Sequence, residues 1–356
     1  GIRDAQESRG LGDVYKRQVY SKKHYLRNSL TELSGGQLVK PFESPERIEF
    51  ILNEISKRKL GSIFEPTNQN LDIVYKVHDK NYINFLETAW DDWIKEGFLG
   101  EAIPTVWPSR SMNSKIIPNN IEGKLGYYCL ANETSISQGT IEAAYESVRV
   151  VLTAVEMFKE EKSIFALCRP PGHHASKDQY GGYCFFNNVA IAAEKLIEEG
   201  AKKIAILDID FHHGNGTQEI FYNRSDVFFI SLHGDPMEAF PHFLGHSDEK
   251  GIAEGEGYNL NYPMPPNTSY NLWKNNLNAA ISNVKKFSPN FLLVSLGVDT
   301  FEKDPISFFK LKSNDYFDVG RVISSLDIPT LFVMEGGYAI NEIGTNTVNV
   351  LKGFED

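Results

Sequence analysis

The segment CRPPGHHA at residues 168–175 places two adjacent histidines directly after the apolar run SIFAL. Both ring nitrogens of each imidazole need hydrogen-bond partners, and a strand that is buried on both faces offers few. Beside an activated water, one imidazole can take up a proton and return it to a leaving amine. A second imidazole, oriented by a buried aspartate, can stabilise charge. We therefore predict that His173 and His174 are a catalytic pair.

A second polar segment, LDIDFHHGNG at residues 207–216, predicts a metal site. Asp208, Asp210 and His212 alternate along an extended chain and so point to one side of it. We predict that Asp210 and His212 bind a divalent metal together with Asp299, a lone carboxylate after the apolar run FLLVSLGV. Such a set leaves coordination positions open for water and substrate. The alternative is that Asp210 and Asp299 cap helices, but the nearby histidines favour the metal.

The segment MEGGY predicts a further catalytic group. Tyr338 follows the flexible pair Gly336 and Gly337, which would let its hydroxyl reach the oxyanion that develops opposite the metal. The alternative is ordinary turn packing. We expect His213 to point away from His212 and to be structural, as we do for the remaining histidines without a recognisable pattern, which are His78, His233, His242 and His246.

The elements that must position these residues alternate between strands and helices. Short apolar runs precede each polar cluster, namely SIFAL, KIAILDI, DVFFIS, NFLLVS and TLFVM. Helical patterns lie between them, for example at 187–199 and 270–287. This alternation predicts a doubly wound α/β fold with a mostly parallel sheet and helices on both faces. Because ligands bind beyond the carboxyl ends of such strands, all the clusters are expected on one rim.

Composition limits the other possibilities. The chain has 356 residues and a formal net charge of −11, which argues against a nucleic-acid partner and favours cationic ligands. It has neither a run of about 18 apolar residues nor a secretory signal, so we expect no membrane association. Three cysteines without a pairing pattern fit a reducing cytoplasm.

Residues 1–18 are interpreted as a tail or an expression remnant. Residues 85–133 form a long aromatic excursion.

Several motifs together resemble the zinc-dependent histone deacetylase superfamily, and in detail its bacterial acetylpolyamine amidohydrolase branch. They are RPPGHHA, GGYCFFNN, DIDFHHGNGTQ, SLHGDP, GVDTFEKDP and EGGY. The resemblance runs from about Val19 to the C-terminus and implies an arginase-deacetylase α/β fold with a single catalytic domain at 19–356. It implies that zinc is bound by Asp210, His212 and Asp299, although Fe²⁺, Co²⁺ or Mn²⁺ would suit the same ligands.

The resemblance also implies roles for other residues. His174 would be the general base and acid, oriented by Asn215, while His173 pairs with Asp208 and Tyr338 polarises the acetyl carbonyl. Because Asn215 is an amide where many relatives carry an aspartate, it should raise the pKa of His174 less. Structural K⁺ or Na⁺ ions would be held at two places. The residues implied for these ions are Asp208, Asp210, His212, Ser231 and Leu232 at one place, and the region from Phe221 to Val227 at the other.

Substrate selection is expected at the tunnel. Gly182 and Tyr183 would line it, while Glu32, Glu122 and Glu133 would meet the distant ammonium groups of the substrate. The 85–133 excursion would form a homodimer whose partner narrows the entrance. We therefore expect a metal-dependent amidohydrolase that removes acetyl groups from small cationic amides, above all acetylpolyamines. The alternatives are a protein lysine deacetylase and a non-catalytic protein that binds a metal or an acylated amine.

Overall fold

A computed structural model describes residues 17–158 and 161–356 of the chain. Its main feature is an eight-stranded sheet with the order β4-β1-β5-β10-β9-β6-β7-β8, in which every neighbouring pair is parallel. The strands are Arg17–Val19 (β1), Ile63–Phe64 (β4), Ser163–Ala166 (β5), Ile204–Asp208 (β6), Val227–Gly234 (β7), Asn259–Met264 (β8), Phe291–Leu296 (β9) and Thr330–Met334 (β10). Glu32–Ser34 (β2) and Gln37–Val39 (β3) form a separate antiparallel hairpin.

Helices cover both faces of the sheet. They are Glu46–Lys57 (α1), Val74–Val77 (α2), Lys80–Lys95 (α3), Ile121–Tyr128 (α4), Thr140–Met157 (α5), Asn188–Glu198 (α6), Asn215–Phe221 (α7), Tyr270–Phe287 (α8), Asp315–Ser324 (α9) and Ile340–Glu355 (α10). Strand residues alternate between two cores: in β6, Ile204 and Ile206 pack with α5 and α6, whereas Ala205 and Leu207 pack with α8 and α10. This alternation is the pleat of a sheet that is buried on both sides, as the apolar runs predicted.

The N-terminal boundary differs from the prediction. Strand β1 begins at Arg17, and Gln18 is completely buried between β4 and β5. The polar composition of residues 1–18 predicts a tail, but the backbone groups of Arg17 and Gln18 pair with both neighbouring strands. Residues 1–16, the rest of the proposed tail, lie outside the described residues.

The aromatic excursion at residues 85–133 is partly anchored on the core of its own chain. Its two ends are helical, in α3 and α4, and Trp90, Trp93 and Phe98 pack against the core. The Trp107 indole N–H donates to the carbonyl oxygen of Cys129 at 2.9 Å. Between these anchors the segment exposes apolar side chains, namely Leu99, Val106, Met112, Ile116 and Ile117. Among the described residues, no helix is both long enough and apolar enough to cross a bilayer.

Candidate active site

Strand order explains why the candidate residues meet. Strands β5, β10, β9 and β6 are consecutive neighbours in the sheet. Their carboxyl ends are followed by His173 and His174, Tyr338, Asp299 and the Asp208–His212 segment, respectively. Since all four strands are parallel, these segments leave the sheet on the same side. The single rim predicted from the sequence is confirmed.

Asp210, His212 and Asp299 form a buried group whose ligand atoms all lie within 4.8 Å of one another. His212 Nδ1 lies 2.9 Å from Asp299 Oδ2 and 3.3 Å from Asp210 Oδ1. The Gly336 backbone N–H donates to the other oxygen of Asp210 at 2.8 Å. Two buried carboxylates beside one imidazole carry a negative charge that burial alone would disfavour, and a divalent cation would neutralise it. The donor set therefore fits the predicted metal.

Glycines create the space for this group. A Cβ atom on Gly297 would lie 2.0 Å from Asp210 Oδ2, and one on Gly336 would lie 2.6 Å from the same oxygen. On the catalytic side, a Cβ on Gly182 would lie 2.2 Å from the His174 ring, and φ at Gly182 is +53°. The sequence does not show this role of Gly297, because the role depends only on the close approach of its backbone to the Asp210 side chain in the folded chain.

The histidine pair has the predicted partners. His173 Nδ1 lies 2.9 Å from Asp208 Oδ2, and His174 Nδ1 lies 2.6 Å from Asn215 Oδ1. The Asn215 amide nitrogen donates to the His174 carbonyl, so its oxygen faces the ring and can only accept. His174 therefore carries its proton on Nδ1, which leaves Nε2 as the acceptor.

The pKa values of the two imidazoles are shifted in opposite directions. Burial lowers the pKa of His173, but the charges of Asp208 and Asp210 outweigh it and raise that pKa to about 10. Burial, followed by the charges of His173 and His212, holds the pKa of His174 well below its ordinary value. A neutral His174 beside an imidazolium is the arrangement that a proton acceptor requires.

Tyr338 is held by the loop that follows β10. Its backbone N–H donates to Asp304 at 2.7 Å, and Arg47 donates from Nε to the Gly337 carbonyl at 2.7 Å. The Arg47 guanidinium also lies 4.9 Å from the centre of the Tyr338 ring. Burial raises the pKa of Tyr338 well above its ordinary value, so the phenol remains a hydrogen-bond donor.

The candidate site opens into one cavity of about 260 Å³. His174, His212 and Tyr338 lie in its wall together with the aromatic rings of Tyr183, Phe211, Phe240 and Phe308. The other lining residues are Glu133, Gly182, Glu238, Ala239, His242 and Ile306. The cavity combines an apolar slot with convergent polar groups, as small-molecule sites do.

The predicted substrate residues divide into three groups. Gly182, Tyr183 and Glu133 line the cavity. Glu32 does not; its carboxylate is buried behind the wall, where it accepts from the Tyr183 hydroxyl at 2.9 Å. Glu122 is exposed in the first turn of α4 and does not line the cavity of its own chain. Within one chain, Glu32 therefore positions Tyr183 rather than meeting an ammonium group directly.

The residues predicted for monovalent cations lie in neighbouring segments. Asp208, the last residue of β6, is paired in register with Ser231 within β7, and both are completely buried. Leu232, Asp210 and His212 follow directly along these chains, whereas Phe221 ends α7 and Val227 begins β7. This placement is compatible with the two predicted ion sites, which stay predictions.

The other histidines mostly have structural roles. His213 bonds through Nε2 to Gln218 at 3.0 Å, and His233 bonds to Ser231 and to the Gly245 carbonyl. His78 receives the Asn187 N–H at 2.9 Å. His242 is the exception: it was assigned a structural role because nothing in its sequence context marked it, but it lines the cavity.

Two buried acids were missed by the sequence analysis. Glu335 Oε2 accepts from the backbone N–H groups of Gly172 and His173 at 2.7 and 3.1 Å, which ties the histidine segment to the end of β10. Asp304 accepts from the Tyr338 N–H. Both acids lie within recognised motifs, Glu335 in EGGY and Asp304 in GVDTFEKDP, but a carboxylate that bonds to backbone has no spacing rule that would assign its role.

The fold and this site define a hydrolase with the arginase-deacetylase architecture. Residues 41–354 match the model of the histone deacetylase domain, so the chain belongs to the histone deacetylase family. It is 54% identical to the acetylpolyamine amidohydrolase of Mycoplana ramosa, with 95% of this chain and 99% of that protein covered. It is 47% identical to acetylpolyamine amidohydrolase 2 of Pseudomonas aeruginosa, with 95% and 98% covered.

Solved structures agree with this assignment. The crystal structure of acetylpolyamine aminohydrolase from Burkholderia pseudomallei matches with a TM-score of 0.90 and 33% identity, covering 95% of this chain and 98% of that one. The HDA15 HD domain matches with a TM-score of 0.76 and 25% identity, covering 95% and 88%. The predicted fold class and the predicted bacterial acetylpolyamine amidohydrolase branch are confirmed.

Proposed function

We propose that the protein hydrolyses the acetyl amide of acetylated polyamines, with zinc as the metal. The observation that carries the proposal is that His212, which forms one buried group with Asp210 and Asp299, lines the same cavity as His174 and Tyr338. A divalent cation on the three ligands would supply Lewis-acid activation of the carbonyl and of the attacking water. Fe²⁺, Co²⁺ and Mn²⁺ are alternatives for the same ligands.

The protein's own groups would then move the protons. His174 Nε2 takes up a proton from the attacking water and returns it to the leaving amine. Asn215 fixes the tautomer that makes this possible. The imidazolium of His173, held by Asp208, stabilises the negative charge that develops nearby. The Tyr338 phenol donates a hydrogen bond to the carbonyl oxygen as it becomes an oxyanion.

The cavity supports a slender cationic substrate. The rings of Tyr183 and Phe240 would hold a methylene chain, while carboxylates on the wall would attract an ammonium group. Opposite charges 4 Å apart attract by about 4 kcal/mol at an effective dielectric near 20, against about 1 kcal/mol in water. The carboxylates are therefore most effective where the entrance is narrow.

We also infer that two chains associate through the 85–133 segment. Leu99 is 99% exposed and Ile116 is 62% exposed on the same segment. Apolar side chains at this exposure are typical of an interaction surface. The proposed partner would narrow the cavity entrance and disfavour a folded protein tail.

Three free, buried cysteines support a cytoplasmic location.

A substrate panel tests the proposal. Metal-stripped protein should be inactive, and restoration of zinc should give hydrolysis of acetylputrescine, acetylcadaverine and acetylspermidine at rates well above those for acetyl-lysine peptides. Restoration with Fe²⁺, Co²⁺ or Mn²⁺ identifies the most effective ion. Faster cleavage of the peptides would indicate a protein lysine deacetylase instead, and metal binding without any hydrolysis would indicate a binding protein.

A further inference from the structure

The loop that follows β7 contributes one carboxylate, that of Glu238, to the wall of the cavity. Glu238 lines the same cavity as His174 and Tyr338, and its side chain is exposed to solvent. Within residues 17–158 and 161–356, neither of its carboxylate oxygens has a hydrogen-bond or ion-pair partner. Glu133, the other lining carboxylate, already accepts from the Gly182 N–H at 2.7 Å and from the Thr134 hydroxyl at 2.9 Å. Glu238 therefore has the greater capacity to bind a cationic group of a ligand.

The backbone around Glu238 is fixed by hydrogen bonds. The Asp235 carbonyl accepts from the N–H groups of Glu238 and Ala239, both at 2.8 Å, and the Asp235 side chain accepts from Met237 N–H at 3.0 Å. The His242 N–H donates to the Ala239 carbonyl at 3.0 Å. A carboxylate on an ordered turn loses less conformational freedom on binding than one on a mobile loop.

His242 adds a second acceptor to this loop. Its Nδ1 lies 3.2 Å from the carbonyl oxygen of Pro236, which can only accept, so Nδ1 carries the proton in this bond. In the neutral imidazole, Nε2 is then an acceptor, and the residue lines the cavity. Phe240, between the two polar residues in sequence, contacts the His174 ring at a centroid distance of 5.1 Å. The loop thus links the aromatic slot directly to two acceptors for an ammonium group.

We propose that Glu238 is a specificity-determining residue that selects acetylated amines carrying a distal ammonium group over neutral amides of the same length. The inference rests on the proposed deacetylation, and it assigns substrate charge selection to the loop at residues 235–242. His242 lies on the same loop and lines the same cavity. The three glutamates expected from the sequence did not include this position.

The test compares two substrates of equal length, N-acetylputrescine and N-acetylpentylamine, in which a methyl group replaces the distal ammonium group. The selectivity is the ratio of their kcat/KM values. For Glu238→Gln, we expect this ratio to fall about tenfold, which corresponds to about 1.4 kcal/mol, with most of the change in KM for the cationic substrate. Glu254→Gln removes an exposed glutamate outside the cavity and should keep the wild-type ratio.

Three outcomes would overturn the inference. The first is an unchanged ratio in Glu238→Gln, and the second is an equal loss for both substrates, which would indicate a general structural effect. The third is wild-type protein that cleaves both amides without preference; it would contradict charge selection while leaving the deacetylation intact. Wild-type protein that cleaves neither amide would instead remove the proposed function itself.

Discussion

Asn215 shows how one neutral side chain can set the protonation of a catalytic group. Its amide oxygen orients His174 through Nδ1 but adds no negative charge, so the burial of the ring and the charge of His173 dominate. His173, bonded to a full carboxylate on Asp208, has its pKa raised instead. Two adjacent residues of the same type therefore receive different roles from their partners. The sequence predicted both partners, because each lies in the recognised DIDFHHGN segment.

Tyr338→Phe tests the phenol in isolation. The substitution keeps the ring that packs beside Arg47 and Tyr183 but removes the hydroxyl. We expect kcat to fall by about 10² to 10³, the usual cost of one oxyanion donor, while the melting temperature and metal content stay close to those of the wild type. Steady-state kinetics with acetylputrescine provides the measurement. A loss under tenfold would exclude Tyr338 from oxyanion stabilisation.

At the scale of elements, the features that could be predicted were those marked by a hydrophobic pattern or by a recognised sequence motif. Fully buried strands were recognised as continuous apolar runs, and α8 has the predicted bounds of 270–287. Strand β1 was not predicted, because its polar residues Arg17 and Gln18 join the sheet through backbone groups and carry no apolar pattern. Contacts made by a single glycine, by Arg47 or by Glu335 were not predictable, because they depend on the tertiary approach of segments that are distant in sequence.

Gly297→Ala tests the close packing at the end of β9. A methyl group would displace Asp210 Oδ2, since the Cβ would lie 2.0 Å from that oxygen. Disturbing the support of a ligand typically lowers metal affinity by about 10 to 100-fold, and we expect a loss in this range. Competition with a chromogenic chelator measures the zinc affinity. Gly100→Ala, where a Cβ meets nothing within 4 Å, should bind as the wild type does.

Equal zinc affinities of the Gly297→Ala and Gly100→Ala variants would contradict the steric argument. They would mean that Asp210 can shift without loss of the site.

Leu99→Asp tests the proposed interface on the 85–133 segment. Leu99 is 99% exposed in the single chain, so the substitution should leave the fold of one chain intact. A buried, unpaired charge at an interface is costly, and we therefore expect the proposed dimer to dissociate to monomers in light scattering at micromolar concentration. Leu272→Asp, on the exposed side of α8, is the matched control and should keep the wild-type mass. A wild-type protein that is monomeric would contradict the interface.

At the scale of the whole molecule, buried titratable groups couple the fold to pH. Burial lowers the pKa of His24 to about 3 and the pKa values of His78 and His233 to about 4. In the unfolded chain, histidine titrates near pH 6.5. Each of these residues therefore stabilises the fold fully above pH 6.5 and loses that contribution as the pH falls through the folded pKa. Burial also raises the pKa of Glu335 to about 7 and that of Asp304 to about 6. At these two carboxyl groups the folded protein binds protons more tightly than the unfolded chain, so their effect is to increase the free energy of unfolding as the pH falls.

His78→Gln and Glu335→Gln separate these two opposing effects. Between pH 6.5 and 4.5 the unfolded protein binds more protons at His78 and fewer at Glu335 than the folded protein does. One proton changes the free energy of unfolding by about 1.4 kcal/mol per pH unit. His78→Gln should therefore flatten the acid loss of stability, whereas Glu335→Gln should steepen it. Urea unfolding at several pH values, with equal zinc in all samples, measures both slopes, and parallel slopes in the two variants would contradict the assigned directions.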